Sequence, residues 1–188
     1  KTAYEIPKRD WSSDVCSSDL KYQLVNSKLG PSVRTLLDVG CRDGVLRKHL
    51  KADIAYTGID MIEGEGVSKV CNVEKGLPFQ DDSFDAVIAL DLLEHTDDIW
   101  FVFSDMVRVA KCQVIVVFPN MYYWRHRLSY VVGNEMDKYR LTPEPIIDRH
   151  RWLTSYGSSR AFCLHVARKY ELGFRSEEHT SELQSRFG

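Results

Sequence analysis

The chain has 188 residues, 44% apolar, 28% charged and 11% aromatic, with a net charge of −2 and a sequence pI near 6.3. That composition excludes a disordered or fibrous chain, and the missing basic excess argues against general nucleic-acid binding. No apolar run approaches the roughly 20 residues that span a bilayer, and no apolar secretory core is visible near the N-terminus. Five scattered cysteines (Cys16, Cys41, Cys71, Cys112, Cys163) lack CxxC spacing. They read as free thiols in a reducing cytoplasm, with no metal site expected.

Taken in chain order, the first segment is anomalous. Asp10–Leu20 reads DWSSDVCSSDL and Arg175–Ser185 reads RSEEHTSELQS. One DNA string, read on its two strands, encodes both, and it resembles a common sequencing-library adapter. Residues 1–20 and 175–188 are therefore expected to be non-native, with no functional site among their side chains. The domain is expected over residues 21–174, the parent product running tens of residues longer. The two ends hold seven of the 27 acids and five of the 25 bases, so residues 21–174 carry no net charge.

Within that stretch, Tyr22–Leu29 has a short helical face stopped by Gly30-Pro31. Thr35–Val39 is a continuous apolar run closed by an acid, the pattern of a buried parallel strand. A glycine turn follows at residues 40–44, and Val45–Leu50 begins a helix. Ala55–Ile59 and Ser68–Cys71 predict a second and a short third strand. Phe84–Leu90 predicts a fourth, Ile99–Ala110 an amphipathic helix, and Val114–Phe118 a fifth strand. Met121–Val132 reads as a helix, Thr142–Arg151 as a polar loop, and Tyr156–Lys169 as a helix. Gly173-Phe174 looks like the start of another strand.

Alternating strands and helices imply an α/β domain with a parallel sheet, whose ligand lies beyond the carboxyl ends of the strands. Four polar loops fall at that edge: Asp38–Gly44, Asp60, Asn72 and Asp91–His95. In Asp38-Val39-Gly40-Cys41-Arg42-Asp43-Gly44 the glycines admit a ligand close to the backbone; a merely structural strand-to-helix turn is the alternative. Asp60 ends a strand where a carboxylate can accept both hydroxyls of a ribose; a solvated acid or helix cap is its alternative. Together they suggest a nucleoside cofactor. The dinucleotide fingerprint G-x-G-x-x-G is not met, which argues against a pyrophosphate.

The stretches Leu77-Pro78-Phe79 through Ser83-Phe84-Asp85, and Leu92-Leu93-Glu94-His95, complete a resemblance to class I S-adenosylmethionine-dependent methyltransferases. It covers residues 36 to 133. Phe118-Pro119-Asn120 through Tyr123-Trp124-Arg125-His126-Arg127-Leu128 also looks like the methionine-biosynthesis protein MetW and its relatives.

The resemblance implies a Rossmann-like fold with predicted strands in the order 3-2-1-4-5, closed in the full fold by an antiparallel hairpin. Because adapter-like sequence begins at Arg175, that hairpin is expected to be absent here and the fifth strand to be an uncovered edge. Asp38, Gly40 and Gly44, with Cys41 in the same loop, then surround the methionine part of S-adenosylmethionine. Asp60 holds the ribose, Met61 or Ile62 packs on the adenine, and Asn72 with the backbone at Val73 meets its edge. Asp91 and Leu92 lie near the methionyl end. Two positions depart from the family pattern: Arg42 replaces its middle glycine, and Asn72 stands where an acid is common.

The reaction implied is methyl transfer to a small molecule. His95 and His150 are candidate bases by position, although a helix cap and a solvated loop explain them as well. Aromatic and arginine residues at 122–130 and 149–152 could line an acceptor site or pack structurally. The absence of an Asn/Asp-Pro-Pro-Tyr segment after the fourth strand lowers DNA bases as acceptors, and no membrane partner is expected. Two other classes stay open: a non-catalytic cofactor-binding module that partners a biosynthetic enzyme, as the MetW likeness permits, and a nicotinamide oxidoreductase.

Overall fold

The computed structural model describes residues 1–8, 15–134, 139, 141, 143–144 and 149–176. Residues 9–14 and 177–188 of the adapter-like ends, and part of the Thr142–Arg151 loop, lie outside the described residues. The strands are β1 (Thr2–Lys8), β2 (Thr35–Val39), β3 (Ala55–Asp60), β4 (Lys69–Val70), β5 (Phe84–Leu90), β6 (Ala110–Pro119) and β7 (Gly173–Ser176). The helices are α1 (Val15–Lys28), α2 (Ile99–Val109), α3 (Trp124–Val131) and α4 (Tyr156–Lys169).

All seven strands join one sheet, in the order β4-β3-β2-β5-β6-β1-β7, and every described pairing is parallel. The five strands read from the sequence take the expected order. Alternation along them divides the core between two faces. Leu37, Val39, Val87, Val114 and Val116 point to one face, under α2 and α4. Leu36, Ala86, Ile88, Ile115 and Val117 point to the other, under α1. Helix α2 buries Ile99, Val102, Phe103, Met106 and Val107, and the Asp98 carboxylate caps its first turn by accepting from the Phe101 N–H at 2.9 Å.

Three expectations are corrected. The edge of β6 is covered: β1 pairs with it over Thr2–Lys8, and β7 lies beyond. Pro7 of β1, which has no N–H to donate, sits where β7 no longer pairs, since β7 matches only Thr2–Glu5. After the glycine turn, Val45–His49 is a short 3-10 helix, opened by Gly44 in the left-handed region (φ 63°). Helix α3 starts at Trp124 instead of Met121, because the Asn120 side chain accepts the Tyr122 N–H and makes a turn first.

Candidate functional site

Three glycines hold the first two loops of the carboxyl edge together. A Cβ on Gly66 falls 2.3 Å from the Gly44 backbone nitrogen, and one on Gly58 falls 2.3 Å from the Gly66 carbonyl oxygen. The 61–68 loop is thereby pressed on the glycine turn by backbone contact that no other residue permits. Gly58 and Gly66 escaped the sequence reading. The signal was a glycine inside a strand pattern, which marks close backbone approach.

Asp60 ties the same loops. One carboxylate oxygen accepts the Arg42 N–H at 2.9 Å and the other the Ile62 N–H at 3.1 Å. Arg42 is exposed and takes φ 48°, so it occupies the glycine position of the family pattern in a glycine-like conformation. Gly40 and Cys41 both donate to the Ile59 carbonyl. Burial pushes the Cys41 thiol up to about 11, so it is a small neutral wall. Met61 and Ile62, next to Asp60, are 64% and 67% exposed, so their side chains are open to a partner at this edge.

Asp38 is buried and accepts the Tyr56 hydroxyl at 2.8 Å. Burial pushes its carboxyl up to about 7, opposed by the Tyr56 hydrogen bond and by the Lys21 charge. Lys21 itself pairs with Asp91 at 2.9 Å. Asp91 has φ 54°, and Leu92 packs on Gly40, where a Cβ would come within 2.8 Å of its Cδ1. Asn72 and Val73 lie at the end of β4. The Asn72 side-chain oxygen accepts from the Glu74 N–H at 2.9 Å, which leaves it further acceptor capacity.

His95 and His150, 55 positions apart, come together edge to face with ring centroids 4.6 Å apart. Buried Glu94 joins them: one ligand-type atom from each of the three lies within 4.8 Å of the others. The chain around His150 is strapped down. Arg151 and Trp152 both donate backbone N–H groups to the Glu94 carbonyl, at 2.8 and 3.3 Å. Arg151 Nε donates to the His95 carbonyl, and the Trp152 indole to that of Thr96. Beside the pair, Asp97, Tyr139, Arg149, His150, Arg151 and Trp152 line a cavity of about 380 Å³.

The Leu77–Asp85 stretch, by contrast, is structural. Arg108 donates to the Leu77 and Phe79 carbonyls and pairs with Asp81 and Asp105. Asp85 accepts the Arg34 and Thr35 N–H groups, which holds its carboxyl below the usual range.

This sheet order, with its polar loops at one edge, is the fold of class I S-adenosylmethionine-dependent methyltransferases. The family model for methionine biosynthesis protein MetW matches residues 20–150, and the chain belongs to that family. Among solved structures, a SAM-dependent methyltransferase from Aquifex aeolicus is 19% identical, with 82% of each chain covered and a TM-score of 0.53. A Thermotoga maritima protein described as a possible histamine N-methyltransferase is 22% identical, with 60% of this chain and 56% of that chain covered and a TM-score of 0.48. The [4+2]-cyclase SpnF is 23% identical over 55% of this chain, with a TM-score of 0.46, and this chain spans 45% of its length. No helix among the described residues is long and apolar enough to cross a membrane.

Proposed function

We propose that this chain binds S-adenosylmethionine at the carboxyl edge and transfers its methyl group to a small-molecule acceptor in the cytoplasm. The observation that carries the reading is Asp60. Each of its oxygens accepts one described backbone N–H, and a carboxylate has about four acceptor positions. It can therefore order the glycine loop and still accept a pair of ribose hydroxyls. The surroundings fit the cofactor: a buried carboxyl at Asp38 suits its ammonium group, and exposed Met61 and Ile62 suit an adenine face.

A bound S-adenosylmethionine supplies a methyl group already activated by its sulfonium. The protein's task is to orient and to exclude water. Asp60 holds the ribose, and Met61 or Ile62 covers the adenine, with Asn72 and the Val73 backbone at its edge. Asp38, Gly40, Cys41 and Gly44 surround the methionine part, and Asp91 with Leu92 closes its end. With no metal bound there, His95 or His150 can take a proton from an acceptor that needs to lose one.

The test is calorimetric titration of S-adenosylmethionine, S-adenosylhomocysteine and NADH into the full chain and into Asp60→Ala, with circular dichroism to verify folding. Micromolar binding of the first two, weakened at least tenfold in Asp60→Ala, is expected. No binding by the folded protein, or binding of NADH alone, overturns the reading.

A second reading, a cofactor-binding module that partners a biosynthetic enzyme, is favoured by the apolar surface of α3. Trp124, Leu128 and Val131 are exposed there, Val131 by 82%. Labelled methyl transfer in a cell extract supports the enzyme; cofactor binding without any transfer supports the module.

A further inference from the structure

We propose that Glu94, His95 and His150 form a binding site for a divalent transition-metal ion, zinc foremost, with one coordination position open to the adjoining cavity. The inference stands whether or not the chain binds S-adenosylmethionine.

The donor set is two imidazoles and one carboxylate, a combination that zinc and iron(II) take while keeping sites for water or substrate. The tautomers follow from the hydrogen bonds. His95 Nδ1 lies 3.1 Å from the Arg149 carbonyl oxygen, which can only accept, so Nδ1 carries the proton. The Tyr139 hydroxyl donates to the Trp152 carbonyl and so accepts from His150 Nδ1, 3.3 Å away. Each ring thus keeps its lone pair on Nε2. A backbone carbonyl or hydroxyl behind the distal nitrogen is the support that metal-binding histidines require.

The ligand-type atoms already lie within 4.8 Å of one another. Zinc bonds of about 2.0–2.1 Å need them about 3.4 Å apart, a change that side-chain torsions can supply. The backbone there is already held, the Glu94 and His95 carbonyls being bound by Arg151 and Trp152. The electrostatics are favourable. Glu94 is a buried carboxylate, and the nearby Arg151 guanidinium is engaged by Asp97 at 2.8 Å. His150 lines the cavity, so an incoming acceptor could reach the open position.

The test uses the full chain, stripped with chelator and titrated with zinc alone, without S-adenosylmethionine. Expected are one zinc per chain and a dissociation constant on the order of 1 µM or tighter, weakening as pH falls, because the ligands bind metal only when deprotonated. His150→Ala and His95→Gln each weaken binding at least a hundredfold, whereas Cys112→Ser, at an exposed thiol outside the cluster, leaves it unchanged. His150→Gln replaces His150→Ala if circular dichroism shows the alanine variant unfolded. Cobalt(II) gives visible d–d bands without a thiolate charge-transfer band. No saturable zinc binding by folded protein, unchanged affinity in the histidine variants, or a thiolate band overturns the proposal.

Discussion

On the β2–β3 half of the carboxyl edge, the polar groups come from a single stretch, Asp38 to Asn72. On the β5–β6 half, Glu94 and His95 meet His150, 55 positions later in the chain. The first half is closed by backbone: Gly44, Gly58 and Gly66 touch, and Asp60 accepts two main-chain N–H groups. The second is closed by a strap, in which residues 151–152 bind the carbonyls of Glu94, His95 and Thr96. A short constellation can be rigid with almost no side-chain packing. A long-range one needs its own set of tertiary hydrogen bonds before its side chains can act together.

The largest expected effect lies in the backbone-closed half. Gly66→Ala places a methyl 2.3 Å from main-chain atoms that cannot yield cheaply. It should cost about 3 kcal/mol in urea unfolding, whereas a cost under about 0.5 kcal/mol would show that the two loops are not in contact.

Next comes binding. Loss of the Asp60 carboxylate should weaken S-adenosylmethionine by about 2 kcal/mol, roughly thirtyfold, as expected for hydrogen bonds to a charged group. Equal affinities would remove Asp60 from the site.

The buried acid gives a pH signature. The Asp38 carboxyl is raised to about 7 in the folded chain and is near 4 when unfolded. Between those values the folded state holds a proton that the unfolded state has released. Its contribution to stability is therefore complete below about pH 4 and is lost as pH rises through about 7. Asp38→Asn should flatten that part of the stability–pH curve; an unaltered slope would contradict the burial of Asp38.

In the strap-closed half, Trp152→Phe removes the indole hydrogen bond to Thr96 and should cost about 1 kcal/mol, read by thermal unfolding. An unchanged melting temperature would show that the strap does not hold. The smallest effect belongs to Arg42→Gly. It relieves a left-handed residue while loosening the unfolded chain, for a net gain under about 1 kcal/mol. A clear loss of stability would mean that the Arg42 side chain does structural work.

The same contrast explains what could be read from the sequence. Strands β2 and β5 were plain because each is an apolar run with an acid at one end, and α4 because its pattern fills Tyr156–Lys169 without interruption. The loops at Asp38–Gly44 and Asp60 were visible because spacing along the chain sets their spacing in the sheet. Strand β1 was not, since its partners β6 and β7 are more than a hundred positions away and only long-range pairing reveals it. Nor was the meeting of His95 with His150, because nothing in the local pattern of either residue encodes the strap. The Leu77–Asp85 motif was legible as a pattern but silent about its role, which the Arg108 hydrogen bonds assign to structure.

Hydrogen exchange of the full chain with and without saturating S-adenosylhomocysteine tests the central claim most directly. The account predicts slowed exchange over residues 38–44, 60–62, 72–73 and 91–92, with little change around Arg34–Thr35 and Asp85 at the opposite edge. Unaltered exchange in the four loops, or protection confined to the opposite edge, would contradict it.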